Sequence, residues 1–247
     1  MKLSAQYLEV LSSVRGYYKC PKDKSGKRLG PLVGYAGRDE NDKQYVGDVY
    51  VNFAKAEENT HVLDGFADFI VRLEPFKAIE LIDVFLGAPE GGKALALLLA
   101  LKTGCRCVSP EKKTIELETP TSREKTKFVF GRHSLSPSGR VERVVLVEDV
   151  LNNFSSTEKL IRLVHDNGGA VIAIVSFLNR SLREIRDTYI SPVLEHGIPI
   201  ISLVDIPIPE YRQDDPEVSD DISRGNVIWK PKDRWSELEA AMRLRDG

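Results

Sequence analysis

Cysteine is scarce, with only Cys20, Cys105 and Cys107 in the chain. An odd count rules out a disulfide scaffold, and Cys105-x-Cys107 lacks the second pair or nearby histidine that would complete a tetrahedral zinc site. The thiols read as buried or incidental groups in a reducing compartment. Long apolar runs are also missing. Residues 94 to 101 form one of the longest, far short of the roughly 20 residues that cross a bilayer. Met1-Lys2-Leu3 leads to Gln6 and Glu9 rather than to the apolar core of a secretory leader. A cytoplasmic protein without a membrane partner is expected. The third absence is an excess of one charge. With 35 Lys and Arg against 37 Asp and Glu, the net charge is −2. That leaves no global positive field to draw nucleic acid, so any anion site is local.

What remains is a globular composition, 42% hydrophobic and 29% charged over 247 residues, enough for one large α/β domain or a core with an appendage. Apolar spacing predicts helices over residues 3 to 14 and 60 to 71. Residues 16 to 42, rich in Lys, Gly and Pro, read as turns and short irregular strands, followed by a strand over 45 to 53. Farther on, short β-branched runs at 83–86, 144–147 and 170–175 have the continuous apolar character of parallel strands buried on both faces. Helical segments at 92–102 and 157–167 alternate with them, and 198–203 is a further strand. This order predicts an open, mostly parallel α/β sheet with helices on both faces. Two alternating stretches, 113–118 and 127–130, interrupt it as a β-hairpin insertion at about 108–140. A loop rich in Pro and acids spans 205 to 221, and a helix closes the chain at 235–244. The division expected is a hood over 1–58 and a core over 59–247.

The chemistry concentrates in Val144-Val145-Leu146-Val147-Glu148-Asp149-Val150-Leu151-Asn152-Asn153-Phe154-Ser155-Ser156-Thr157. A buried strand ends in two carboxylates, then a polar loop opens a helix, which sets the loop at the carboxyl edge where open α/β sheets take ligands. Loop amides and the hydroxyls of Ser155, Ser156 and Thr157 could hold a phosphate at the positive helix end, and Glu148 and Asp149 could accept hydrogen bonds from paired ribose hydroxyls. Plain helix capping by Ser155 or Ser156, with solvated acids, fits the same residues.

This stretch resembles the signature of the type I phosphoribosyltransferases, most closely the orotate phosphoribosyltransferases: four apolar residues, two acids, two apolar residues and a Thr- and Gly-rich loop. Val144 through Leu151 match it position by position. The departure is Asn152-Asn153-Phe154-Ser155-Ser156, where the family usually has threonines and two glycines. Losing those glycines removes easy access to positive φ, so a changed loop backbone is expected. The resemblance implies that Glu148 and Asp149 bind the ribose hydroxyls of phosphoribosyl pyrophosphate and that Asn152, Asn153, Phe154, Ser155, Ser156 and Thr157 bind its 5′-phosphate. Asp149 and Glu148 are also counted as catalytic.

Three more segments fit in the same order. Ala88-Pro89-Glu90-Gly91-Gly92 resembles the family's pyrophosphate loop, although a tight strand-to-helix turn explains it equally, and Glu90 would repel an anion unless it faces away. Arg123, Lys125 and Lys127, with His133 beyond, resemble the mobile catalytic loop that neutralises departing pyrophosphate. Glu111-Lys112-Lys113 competes for that role, and a solvated charged hairpin is the bland alternative. Arg180 stands where orotate enzymes place an Arg near the base carboxylate, and helix capping or ion pairing competes there. Ser25-Gly26-Lys27-Arg28 resembles, more distantly, the basic hood segment. His61, His165 and His196 sit singly, without the neighbours a metal site needs. Trp229 and Trp235 read as packing for the C-terminal helix.

The resemblance implies an enzyme using phosphoribosyl pyrophosphate and Mg²⁺, with few or no direct protein ligands to the metal. Its product would be a nucleoside 5′-monophosphate, most simply orotidine 5′-monophosphate from orotate. It also implies a homodimer. A purine or other base as acceptor, and a non-catalytic regulator that binds phosphoribosyl pyrophosphate or a nucleotide, remain the alternatives.

Overall fold

The computed structural model describes residues 2–116, 125–135, 139–181, 187–194 and 196–245. Helix α1 (Lys2–Ser13) is followed by strands β1 (Tyr17–Lys19), β2 (Leu32–Arg38), β3 (Gln44–Gly47) and β4 (Val49–Val51), then by helices α2 (Ala54–Glu57), α3 (Thr60–Arg72) and α4 (Glu74–Lys77). The middle of the chain runs β5 (Val84–Gly87), α5 (Lys93–Thr103), β6 (Arg106–Val108), β7 (Glu111–Glu116), β8 (Lys125–Val129), β9 (Glu142–Leu151), α6 (Ser155–Asp166) and β10 (Gly169–Asn179). It ends through β11 (Thr188–Ile190), β12 (Gly197–Asp205), α7 (Ser219–Ser223), β13 (Val227–Ile228), α8 (Trp235–Met242) and a 3-10 turn at Arg243–Arg245.

Two compact units emerge, Met1–Tyr7 with Thr60–Ile206 and Leu8–Asn59 with Pro207–Gly247. The first is built on a six-stranded sheet in the order β11-β12-β10-β9-β5-β6. Its ladders are parallel except for β11 on β12, as the continuous β-branched runs require. Val144, Val145, Leu146 and Val147 of β9 are fully buried. On α6 the i, i+1, i+4 set Leu160, Ile161 and Val164 joins Val84, Leu86, Val144 and Ile174 in one core cluster, so the amphipathic stripe faces the sheet. The edge strands β6 and β11 span three residues each, too few for a periodic signal. The hairpin insertion is present as the antiparallel pair β7 and β8, with Lys113 opposite Lys127.

The second unit departs from the sequence expectation in three ways. Its C-terminal part, expected within a 59–247 core, groups instead with the N-terminal segment. The reason is pairing and burial: β13 runs parallel to β2, and Trp235, Leu238 and Ala241 of α8 pack with Tyr18, Cys20, Val33 and Tyr35. The strand expected over 45–53 is two strands, β3 and β4, broken at Asp48. That side chain takes Arg28 Nε at 2.5 Å and Lys22 Nζ at 2.7 Å, and Arg28 also reaches Asp221 at 3.1 Å. The basic segment compared with a hood is thus tied into this unit's own ion pairs. Finally, β2 is a strand of seven residues, longer than the short strands expected there, although its pairing with β3 shifts register between Gly34 and Arg38.

Among the described residues, no helix is long and apolar enough to cross a membrane.

Candidate active site

Glu148 and Asp149 lie near the carboxyl end of β9, between two parallel neighbours: Ser176 of β10 pairs with Glu148, and Gly87 of β5 pairs with Val147. Position in the middle of the sheet explains their different surroundings. Glu148 is buried, while Asp149 is half-buried. Loss of water and then the Asp149 charge push the Glu148 carboxyl up to about 8, against a smaller opposing effect from the Thr157 hydroxyl, which donates to its Oε1 at 3.5 Å. At neutral pH Glu148 is therefore mainly a neutral acid, able to donate as well as accept.

A raised carboxyl pKa stabilises the fold fully below the unfolded value of about 4.3, and that stability is lost as the pH climbs through the folded value. Urea unfolding of the native protein is expected to show a stability that falls between pH 5 and pH 8.5. The Glu148→Gln variant should lack most of that slope, at about 1.4 kcal/mol for each unit of displacement. Parallel pH profiles for the two proteins would refute the assignment.

The Gly-rich turn from β5 into α5 is pressed against the same strand end. The Ala88 amide donates to Val147 O at 2.9 Å, and the Gly92 amide to Ala88 O at 3.1 Å. A Cβ on Gly92 would sit 1.9 Å from Val147 O, and one on Gly91 would sit 2.5 Å from Asp149 Oδ1. Only bare backbone fits at either place. Glu90 is exposed, with φ at 71°; Ala88 is buried and Pro89 half-buried.

The loop from Asn152 into α6 corrects one expectation. Although Phe154 replaces a glycine, it holds the left-handed conformation, at φ 57° and ψ 10°, which costs a non-glycine residue on the order of 1 kcal/mol. The ring provides the compensation. It is buried in the core cluster with Leu160 and Ile161 and stacks on Tyr189 of β11, centroids 4.5 Å apart and planes 8° from parallel. Tyr189 Oη donates to Glu158 Oε2 at 3.1 Å and Ser191 Oγ to the same oxygen at 2.8 Å; Arg162 Nε lies 3.3 Å from Oε1. Phe154 thus anchors the loop from below and turns its ring into the core. Asn153 Oδ1 accepts the Ser155 amide at 3.2 Å, and the hydroxyl-bearing Ser155 and Ser156 are exposed while Thr157 is buried.

Tyr189→Ala removes the stack and is expected to lower stability by roughly 1 to 3 kcal/mol. Tyr189→Phe keeps the stack but loses the bond to Glu158, for about 1 kcal/mol. Chemical denaturation of the two variants checks the ordering, and equal losses would deny the stack its role.

Arg180 follows directly on β10. Its backbone amide donates to Leu151 O at 2.9 Å, which seats it just past the acid pair, and its side chain is buried. Asn179 Oδ1 stiffens the turn by accepting the Ser181 amide at 3.0 Å and hydroxyl at 2.7 Å. The hairpin starts from the carboxyl end of β6, and β8 packs against α6. Lys127 is exposed on β8, the backbone of Lys125 belongs to the same strand, and Arg123 lies outside the described residues. His133 sits at the hairpin base, its Nδ1 3.0 Å from the Ser109 nitrogen and 2.8 Å from the Ser109 carbonyl oxygen, so it binds that backbone and not the acid pair.

The fold therefore brings together Glu148, Asp149, the 88–92 turn, the 152–157 loop and Arg180 at one sheet edge. Sequence reasoning missed Tyr189, Glu158 and the Thr157 bond to Glu148. The first sits in a three-residue edge strand, and the others look like ordinary helix residues; only the left-handed demand at Phe154 hinted that something must hold its ring.

Among the described residues, no group of three or more His, Cys, Asp and Glu side chains could hold a metal ion. Mg²⁺ commonly keeps several waters and takes substrate phosphate oxygens beside one or two carboxylates. A single charged carboxylate at Asp149 fits that donor set.

Searches of family models give no match. Among solved structures, the chain superposes on an orotate phosphoribosyltransferase from Aeropyrum pernix with a TM-score of 0.51 and 16% identity, covering 80% of this chain and 92% of that one. An adenine phosphoribosyltransferase from Trypanosoma brucei, solved in complex with AMP, pyrophosphate and ribose-5-phosphate, gives 0.51 and 19%, over 83% of this chain and 80% of that one. The fold is that of the type I phosphoribosyltransferases. In sequence the likeness runs to orotate phosphoribosyltransferase: the chain is 27% identical over 168 residues to the enzyme of Caldanaerobacter subterraneus subsp. tengcongensis, 68% of this chain and 75% of that protein.

Proposed function

We propose that this protein transfers the phosphoribosyl group of phosphoribosyl pyrophosphate to a ring nitrogen of a free base, with orotate the leading acceptor. The observation that carries the reading is the seating of Gly91 against the Asp149 carboxylate, with room for no side chain. That packing joins an amide-rich turn, an acid pair and a helix-opening polar loop in one anion- and sugar-sized edge. The C1–oxygen bond to pyrophosphate breaks, the C1–nitrogen bond forms, and the base nitrogen gives up its proton.

Asp149 accepts from one ribose hydroxyl, and Glu148, neutral near pH 7, bonds the other as acceptor or donor. The amides of the 88–92 turn meet the pyrophosphate, while the 152–157 loop takes the 5′-phosphate. Arg180 offers its planar fork to a carboxylate or carbonyl of the base. Lysines of the hairpin, Lys127 among them, spread positive charge toward the leaving group. Mg²⁺, held by Asp149 and substrate oxygens, would neutralise the pyrophosphate.

One observation favours a second reading, binding without turnover: Phe154 and Ser155 stand where the family's loop usually has glycines. Pyrophosphate release is to be measured with Mg²⁺ and phosphoribosyl pyrophosphate across orotate, uracil, adenine, guanine, hypoxanthine, xanthine and nicotinate. Release with orotate supports the leading reading, and release with adenine alone reassigns the acceptor. Donor binding with no release for any base supports the second reading.

A further inference from the structure

The second unit contains a cavity of about 420 Å³ that the proposed chemistry does not use. Its walls come from the turn leaving α1, which carries Arg15, from β1, which carries Tyr17 and Lys19, and from the chain end with Glu239 and Arg243. Three cations, Arg15 and Lys19 from one segment and Arg243 from a distant one, line one concavity. None of their side chains has an ion pair or hydrogen bond among the described residues, whereas Arg28, Arg143, Arg212 and Arg224 are all paired. Glu239, the one carboxylate in the wall, accepts the Trp235 indole N–H at 3.1 Å.

Arg15 adds a second, independent sign. It sits at φ 59°, with its amide bonded to Ser12 O and that of Gly16 to Leu11 O, each at 2.8 Å. This left-handed position closing a helix normally belongs to glycine. Gly16 next to it is needed for another reason, since a Cβ there would lie 2.5 Å from Leu11 Cδ1. A long cation kept in a conformation that disfavours side chains, in the wall of a cavity lined by three cations, points to a ligand.

We propose that this cavity binds a polyphosphate-bearing small molecule. Its volume falls in the range of about 300 to 1,000 Å³ typical of small-molecule sites, larger than a single phosphate needs. Two guanidinium forks suit adjacent phosphate oxygens by paired hydrogen bonds, and Lys19 adds a point charge. Concave walls concentrate the field of such a cluster, so unpaired cations attract a multiply charged anion more strongly than a flat surface would.

The test is titration of the full chain with inorganic tripolyphosphate in the absence of Mg²⁺, by calorimetry and by amide hydrogen exchange. Binding should slow exchange in residues 12–19 and 235–243, weaken at least tenfold in Lys19→Glu, and persist in Lys19→Arg. Protection confined to residues 88–92 and 152–157 would assign the anion to the proposed active site and overturn the inference. So would an affinity unchanged in Lys19→Glu, a loss in Lys19→Arg equal to that in Lys19→Glu, or no binding at all.

Discussion

Asp149→Asn is expected to lower kcat/KM for phosphoribosyl pyrophosphate by roughly 10- to 150-fold, because a hydrogen bond to a charged group is worth about 1.5 to 3 kcal/mol. Asparagine keeps the size and one acceptor but surrenders the charge, so the fold should persist. Gly91→Ala should reproduce much of the same loss without touching the carboxylate chemically. Its new Cβ would lie 2.5 Å from Asp149 Oδ1, well inside van der Waals contact, and the acid must move. Two changes acting through one group do not add. In steady-state pyrophosphate release, the double variant should be little worse than Asp149→Asn alone; fully multiplicative losses would separate the turn from the acid.

Gly92→Ala should act on the fold itself. The added methyl would lie 1.9 Å from Val147 O and 2.7 Å from the Ala88 amide nitrogen. Both are backbone atoms of the turn and of β9, so relief requires shifting the sheet. A loss of about 3 kcal/mol or more is expected, in the tail of single-substitution effects where steric overpacking belongs. Gly65 supplies the contrast, because it lies within α3 and a Cβ there meets nothing within 4 Å. Gly65→Ala should stabilise by roughly 0.5 to 1 kcal/mol through helix propensity. Urea midpoints of the two variants should therefore move in opposite directions from the native protein.

Much of this fold is legible in the sequence. Parallel strands buried on both faces announce themselves as continuous β-branched runs, and β9 and β10 occur where those runs predict. The place of the acid pair was legible because a buried strand that runs into two charges, a polar loop and a helix sets them at the carboxyl edge of an open α/β sheet. What escaped depended on partners far along the chain. Nothing near Phe154 says that Tyr189 will stack on it, so the loss of glycine read as lost access to positive φ, whereas Phe154 itself holds φ 57°. The C-terminal segment was likewise misplaced, because β13 has only two residues and its pairing with β2 leaves no local periodicity. Burial of Glu148 and the resulting upward shift also depend on its neighbours in the sheet, which a linear reading cannot weigh.

The most direct measurement is calorimetric titration of the full chain with phosphoribosyl pyrophosphate and Mg²⁺, repeated on Asp149→Asn. Saturable binding of one donor per chain, weakened at least tenfold by the substitution, is the result predicted here. Absence of binding to the native protein, or equal affinity in the variant, would contradict the claim that the acid pair of β9 holds a phosphorylated ribose.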